Sequence, residues 1–358
     1  MSAPTTQLRS AGPSTGVLRV ATIGAGRIGA NHAELVARHI PGADLVAVVD
    51  PIEASAQRLS EKLSVLATTD IDATLESPDV DAVLITAPAR SHSDLVCRAA
   101  AAGKHVFCEK PMAVTLDEAD RAIAAAQAAG VVLQVGFNRR FAPGFAAARR
   151  AVDDGLVGTP QLLRSLTRDP GPWGGDPARV PQWTIFLETL IHDFDTLCFL
   201  NPGANPVAVH TFADALVRPD ARGSGHLDTA IVTITFDNGA IATAEASFSA
   251  LYGYDVRGEV FGSAGMATAG SGRTSDMTLY DATGTHIDTA RRDTDLLHTA
   301  YVTELAAFVD AARSADKAGV KATIPTGADA RRALQMALAA IRSVETGGTT
   351  VRIDEVSA

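Results

Sequence analysis

The stretch Val17-Leu18-Arg19-Val20-Ala21-Thr22-Ile23-Gly24-Ala25-Gly26-Arg27-Ile28-Gly29 decides the fold. Its first seven residues are apolar or β-branched apart from Arg19, the signature of a buried strand. Glycines at 24, 26 and 29 follow, and residues 27–38 read as a helix. A strand that runs through Gly-x-Gly-x-x-Gly into a helix is a dinucleotide-binding turn. Gly24 permits the tight turn, Gly26 lets the main chain approach a pyrophosphate, and Gly29 lets helix and strand pack closely. Ala25, Arg27 and Ile28 complete the loop. The helix start offers free amides and a positive dipole to the phosphates.

Working outward, strand and helix alternate as far as residue 137. Solid apolar runs over 45–49, 80–86, 105–108 and 131–135 read as strands buried on both faces. Segments 53–62, 91–102 and 115–129 read as helices. The last opens on a capping box, Thr115 with Glu118, and closes on Gly130. The pattern predicts a doubly wound parallel α/β sheet, a Rossmann domain, over 17–137. Residues 1–16, rich in Ser, Thr, Pro, Gly and Ala, read as a flexible tail without the apolar core of a secretory signal.

Asp50 ends the second strand, 21 residues beyond Gly29. A carboxylate there accepts the ribose hydroxyls of NAD and repels the 2′-phosphate of NADP. Pro51 beside it supplies no compensating cation, so NAD is favoured. Thr86, Pro88 and His92 follow the strand over 80–86 and border the same end of the sheet. His92 is either close to the nicotinamide ribose or a surface residue at a helix start. About 80 residues after the glycine turn, a later strand ends in Glu109-Lys110-Pro111. Lys110 there puts a cationic donor near the reactive end of the dinucleotide. The two signals together point to an NAD(P)-dependent oxidoreductase.

The pattern changes after about residue 145. A Pro/Gly/Trp loop over 169–183 leads to a helix over 185–200. Alternating segments at 207–212, 229–236, 240–248, 255–261 and 277–280 follow, with a hairpin signal at Asp237-Asn238-Gly239. Helical patterns return at 301–312 and 327–344. This half, 138–358, reads as an α+β domain with a large open antiparallel sheet. On its helix, Glu188, His192 and Asp195 share one face. By residue type they fit an oriented acid/base, an interdomain ion pair or, less well, a metal site.

Bulk properties narrow the partners. The net charge of −10 disfavours nucleic acid and acidic membranes. Three cysteines without metal spacing fit reduced thiols in the cytoplasm. Apolar helices are too short to span a bilayer. Arg149-Arg150 reads as a solvated helix face, and Trp173 as loop packing or a pocket floor.

The chain resembles the Gfo/Idh/MocA oxidoreductases from about Leu18 to Ile353. The resemblance rests on residues 24–29, 109–111 and 136–141 (Gly-Phe-Asn-Arg-Arg-Phe), on Ile191-His192-Asp193-Phe194-Asp195, and on 252–262. The last motif, with Arg168-Asp169-Pro170, looks most like the inositol 2-dehydrogenase branch. The resemblance implies NAD-dependent oxidation of a secondary hydroxyl of a cyclic polyol or sugar. It implies Lys110 as donor to the reacting oxygen and His192 as proton acceptor. Asn138, Arg139, Asp169 and Tyr254 would lie near the polyol, and Glu188 would orient His192. His298 and Tyr301 would lie near the substrate or serve as buried anchors. Family members form homodimers or homotetramers through the open sheet. A sugar dehydrogenase of another specificity, a glycosidase using NAD transiently and a non-catalytic dinucleotide sensor remain compatible. Two departures stand out: Trp183-Thr184 replaces a Gly-Gly pair, and Glu188 replaces an aspartate.

Overall fold

The computed structural model describes residues 16–171, 180–315 and 324–356. The tail over 1–15 and Trp173 lie outside them. The chain divides into two compact units, Met1–Phe137 with Tyr301–Arg331, and Asn138–Ala300 with Arg332–Ala358.

The first unit is built on six strands: β1 (Leu18–Ile23), β2 (Ala43–Val49), β3 (Leu66–Thr68), β4 (Ala82–Ile85), β5 (His105–Cys108) and β6 (Leu133–Val135). Their order is β3-β2-β1-β4-β5-β6, and every neighbouring pair is parallel. Helices α1 (Arg27–His39), α2 (Glu53–Leu63), α3 (Ile71–Glu76), α4 (His92–Ala101) and α5 (Leu116–Ala129) connect them. Val20, Ala21, Val83, Leu84 and Ile85 are fully buried, as solid apolar strands in a doubly wound sheet must be. Strand order reverses between β1 and β4. In such sheets ligands bind beyond the carboxyl ends at that reversal.

Residues 301–331 belong with this unit, although the sequence pattern assigned them to the second half. Phe308 packs edge-on to Phe107 of β5, with ring centroids 5.9 Å apart. The Gln134 amide donates to the Glu304 carbonyl, and Val135 N–H to the Pro325 carbonyl. An amphipathic helix carries no mark of which core it covers, so periodicity could not reveal this return.

The second unit holds a seven-stranded sheet in the order β12-β11-β7-β10-β9-β8-β15. Its strands are β7 (Pro160–Arg168), β8 (Pro206–Asp214), β9 (Thr229–Phe236), β10 (Ile241–Ser247), β11 (Asp255–Gly262), β12 (Met266–Ser271) and β15 (Val351–Arg352). Strands β13 (Arg273–Asp281) and β14 (Gly284–Thr289) form a separate hairpin. The sheet is mixed, not wholly antiparallel: β10 runs parallel to β7. A long connection through a helix and two strands separates this pair, and such crossovers bring a strand back parallel. On one face Val232, Ile234, Ala242, Ala244 and Val260 are buried; on the other Leu162, Phe212, Ile231, Ile241 and Phe261 are exposed. No helix among the described residues is long and apolar enough to cross a membrane.

Candidate active site

The glycine turn is built as its spacing requires. Gly24 has φ +106°, and a Cβ there would lie 2.8 Å from the main chain of Thr86 and Ala87. A Cβ on Gly29 would fall 1.9 Å from the Gly24 carbonyl oxygen. Gly26 differs: no atom lies within 4 Å of where a Cβ would stand, and it is exposed at the N-cap of α1. Two glycines therefore serve the fold, and the third leaves an open approach to the amides at the helix start. Thr86 acts on the turn itself, its hydroxyl facing the carbonyls of Ile23 and Gly24 at 3.1 and 2.9 Å. Pro88 precedes the short helical turn Ala89–Ser91 and is exposed.

Asp50 stands at the end of β2 beside this turn. One carboxylate oxygen accepts the Ala25 N–H at 2.7 Å and the other the Ile52 N–H at 2.8 Å. The amides fix the carboxylate and leave it further lone pairs for hydroxyl donors. Pro51 and Ile52 next to it are exposed and uncharged. This geometry fits a dinucleotide: glycine cradle, exposed helix start and an aimed carboxylate, all at the carboxyl end of the sheet.

Lys110 follows β5, on the same end of the sheet and two strands from the glycine turn. It is half-buried, and the Lys110–Pro111 peptide is cis. Glu109 is buried beneath it. One Glu109 oxygen meets His32 Nε2 at 2.8 Å, and the other accepts the Lys110 N–H at 3.1 Å. Burial pushes the Glu109 pKa up. The hydrogen bond and charge of His32, with the charge and N–H of Lys110, outweigh burial and hold it below the ordinary carboxylate range. Glu109 is thus committed to the protein, not aimed at a cofactor. Gly136 makes room for it, since a Cβ there would lie 3.1–3.2 Å from the carboxylate. Next to it, burial raises the Cys108 thiol well above its usual pKa.

His92 is buried, not at the surface. Its Nδ1 lies 2.8 Å from the Pro111 carbonyl oxygen and its Nε2 2.7 Å from that of Ala87. Each ring nitrogen faces a main-chain carbonyl, so the ring packs against the protein instead of lying at the surface. Tyr301 is also a buried anchor, its ring 5.5 Å from that of His32.

In the second unit the helix expected over 185–200 has two parts. Ile185–Leu190 is a π-helical turn, and Ile191–Leu200 is α-helical. Glu188 lies on the π turn, and His192 opens the α-helix one turn later. Both are partly exposed while Ile185, Phe186, Leu190 and Ile191 around them are buried. Asp195, the third member of the sequence cluster, is buried and held by Arg140 through both carboxylate oxygens. It is a structural ion pair. Wide π turns recur at functional sites because they re-aim side chains without breaking a helix.

Arg139 is a structural residue as well. Its guanidinium donates to Asp193 at 2.7 Å and to Thr167 at 2.6 Å. Asp193, fully buried, also accepts from the hydroxyls of Ser165 and Thr167. Removing either charge would leave the other buried and uncompensated. Asn138 is buried beside it, and its side-chain oxygen has no hydrogen-bond partner among the described residues. Asp169 and Tyr254 come together: the phenol donates to one Asp169 oxygen at 2.8 Å, and the other accepts the Gly171 N–H at 2.7 Å. The residues that the sequence does not single out are His32, Gly136 and Asp193. Each lies in or next to a recognisable motif, but a histidine on an apolar helix face and an acid beside another acid carry no distinguishing signal. Among the described residues no group of three or more His, Cys, Asp or Glu side chains could hold a metal ion.

Comparison with known proteins gives concordant matches over both units. A model described as the oxidoreductase family, NAD-binding Rossmann fold, matches residues 18–137, and one for the GFO/IDH/MocA C-terminal domain matches 145–268. The chain is 37% identical to myo-inositol 2-dehydrogenase of Thermotoga maritima over 95% of its length and 99% of that protein. It is 35% identical to scyllo-inositol 2-dehydrogenase (NAD(+)) of Bacillus subtilis, over 92% of this chain and 95% of the other. The structure of scyllo-inositol dehydrogenase from Lactobacillus casei with bound NAD(H) and scyllo-inositol superposes with a TM-score of 0.87 at 26% identity, covering 94% of this chain and 99% of that one.

Proposed function

The chain belongs to the Gfo/Idh/MocA oxidoreductase family, and from that premise we propose that it is an NAD-dependent dehydrogenase of a cyclic polyol of the inositol type. The observation that carries the reading is Lys110, fixed by a buried carboxylate at the carboxyl end of the sheet that also holds the glycine turn. Bound NAD would supply the hydride acceptor. Gly24–Gly29 and Asp50 would hold it, and Asp50 favours NAD over NADP because a 2′-phosphate would meet its charge. Lys110 donates to the substrate oxygen and stabilises negative charge as the carbonyl forms, an effect often worth several kcal/mol. His192 takes the hydroxyl proton, with Glu188 orienting its ring. Asn138, Asp169 and Tyr254 would offer hydroxyl partners, and Arg139 would act on substrate only through its buried network with Asp193.

Two further expectations are part of the reading. The exposed apolar stripe of Leu162, Phe212, Ile231, Ile241 and Phe261 fits a second copy of the chain packing sheet to sheet, as a homodimer or half of a homotetramer. Light scattering of an Ile231→Asp protein should then give a smaller mass than wild type. Three free cysteines suit the cytoplasm.

The test is reduction of NAD by myo-inositol and scyllo-inositol, followed through the absorbance of NADH. Wild type should reduce NAD with at least one of them. Lys110→Ala should bind NAD with unchanged affinity and turn over slower by orders of magnitude. Wild-type turnover in that variant would refute the assignment.

A further inference from the structure

Lysine has a long, flexible stem, so its charge is useful only where the main chain beneath it is fixed. Two buried histidines grip the chain on the two sides of Lys110. On the amino side, His32 from the second turn of α1 holds the Glu109 carboxylate at 2.8 Å, and that carboxylate accepts the Lys110 N–H. His32 is fully buried, its ring edge-on to Phe107 at 5.4 Å and tilted against Tyr301 at 5.5 Å, so it has no other rotamer to adopt without repacking. On the carboxyl side, His92 at the start of α4 spans the Pro111 and Ala87 carbonyls. Carbonyl oxygens only accept, so the ring nitrogen that carries the proton donates to the carbonyl it faces. The buried ring lies between the segment after β5 and the end of β4 and fills the space between them.

We propose that His32 and His92 are positioning residues for Lys110, acting through Glu109 and Pro111 to deliver its ammonium group to one place. The proposal rests on the reading of Lys110 as the donor to the reacting oxygen. It also gives α1 a second task. The helix that presents its N-terminus to the pyrophosphate anchors the lysine through its next turn. Displacement of a reacting group by about 1 Å can cost on the order of a hundredfold in rate.

A double-mutant cycle separates positioning from general support of the fold. Full-length wild type, His92→Ala, His32→Leu, Lys110→Ala and the two histidine–lysine double variants are compared. NAD affinity is titrated by protein fluorescence, thermal stability by circular dichroism, and kcat and KM with NAD and myo-inositol. Each histidine variant should lose roughly tenfold or more in kcat, while KM and NAD affinity stay within about threefold. In the Lys110→Ala background the same substitutions should cost nothing further, because the group they position is gone. His32→Gln, which keeps a donor for Glu109, should recover most of the lost kcat. Losses that multiply fully with that of Lys110→Ala, or that track weakened NAD binding, would overturn the proposal, as would unchanged kcat in both single variants. Should His32→Leu not fold, the His92 cycle and His32→Gln decide alone. Wild-type turnover by Lys110→Ala would instead refute the parent assignment, so the two failures are distinct.

Discussion

Two glycines three residues apart should fail in opposite ways when given a methyl group. At Gly29 a Cβ would sit 1.9 Å from the Gly24 carbonyl oxygen and 2.6 Å from Thr86 Oγ1, whereas real Cβ contacts do not fall under 3.0 Å. Helix α1 and the turn must therefore part by 1.1 Å, the difference between 3.0 and 1.9 Å. Overpacking of that kind costs about 1–3 kcal/mol. In a unit of this size, each kcal/mol lowers Tm by about 2–4 °C. Gly29→Ala should thus melt several degrees below wild type without any ligand, and bind NAD weakly because the amides have moved. At Gly26 no atom lies within 4 Å of the Cβ direction, and φ of −71° suits alanine. Gly26→Ala should melt with wild type when free, yet its methyl group points into the space the pyrophosphate needs. A tenfold loss in Kd corresponds to about 1.4 kcal/mol. With NAD at a hundred times the wild-type Kd, ligand stabilisation would then fall from about 2.7 to about 1.4 kcal/mol. Thermal denaturation with and without NAD reads both effects in one experiment. A Gly26→Ala protein with wild-type NAD stabilisation, or a Gly29→Ala protein as stable as wild type when free, would refute the division of labour.

Asp50→Ser should weaken NAD binding about tenfold or more and narrow its preference over NADP, since the serine removes both the hydroxyl acceptor and the repulsion; equal loss for both cofactors in binding titrations would contradict the ribose role. The Glu109 pKa is depressed in the folded state, so its ionised form stabilises the fold above the ordinary carboxylate pKa, and that contribution fades as pH falls through the lower folded value. The stability gap between wild type and Glu109→Gln should therefore be largest at neutral pH and close under acid conditions in urea titrations. A gap that widens with acid would reverse the sign assigned here.

The nucleotide half was legible because its rules are local. Solid apolar strands, a capping box and three glycines each announce themselves within a few residues. The second unit hid one of its inner strands. In β7 the buried positions include Ser165 and Thr167, which reach Asp193 and not an apolar core. A strand that buries hydroxyls shows no hydrophobic alternation, so nothing in Pro160–Arg168 announces a strand. Its parallel pairing with β10 spans too much intervening chain for any pattern to reveal. The candidate site residues divide along the same line. Asp50 and Lys110 stand where the sequence places them because each lies at the end of a strand at a known distance from the turn. The partners that Arg139 and His92 take in the fold, Asp193 and two main-chain carbonyls, are set by tertiary packing alone.

Trp183 carries the departure from the Gly-Gly pattern, and the structure gives it a physical cost. Its φ of +61° puts a bulky L-residue in the left-handed region, immediately before the π turn that carries Glu188. Such a conformation costs roughly 1–2 kcal/mol. Packing offsets it: the ring leans on Phe186 at 6.3 Å, lies 3.4 Å from where a Cβ on Gly225 would sit, and the Trp183 N–H donates to the Gly225 carbonyl. Replacing the ring by alanine removes that packing and keeps the strained backbone. Replacing it by glycine removes both. In ordinary backbone, alanine is more stable than glycine by about 0.5–1 kcal/mol. Here the order should invert, with Trp183→Gly more stable than Trp183→Ala by on the order of 1 kcal/mol once the glycine entropy is deducted from the relieved strain. The chain has two tryptophans, so unfolding in denaturant is best followed by circular dichroism and not by fluorescence. Alanine above glycine would mean that Trp183 is not strained and that the helix start is set by the ring alone. Glycine above alanine would mean that the backbone turn is the governing constraint. The tryptophan then occupies a position whose backbone suits glycine, and its ring is held there by Phe186 and Gly225.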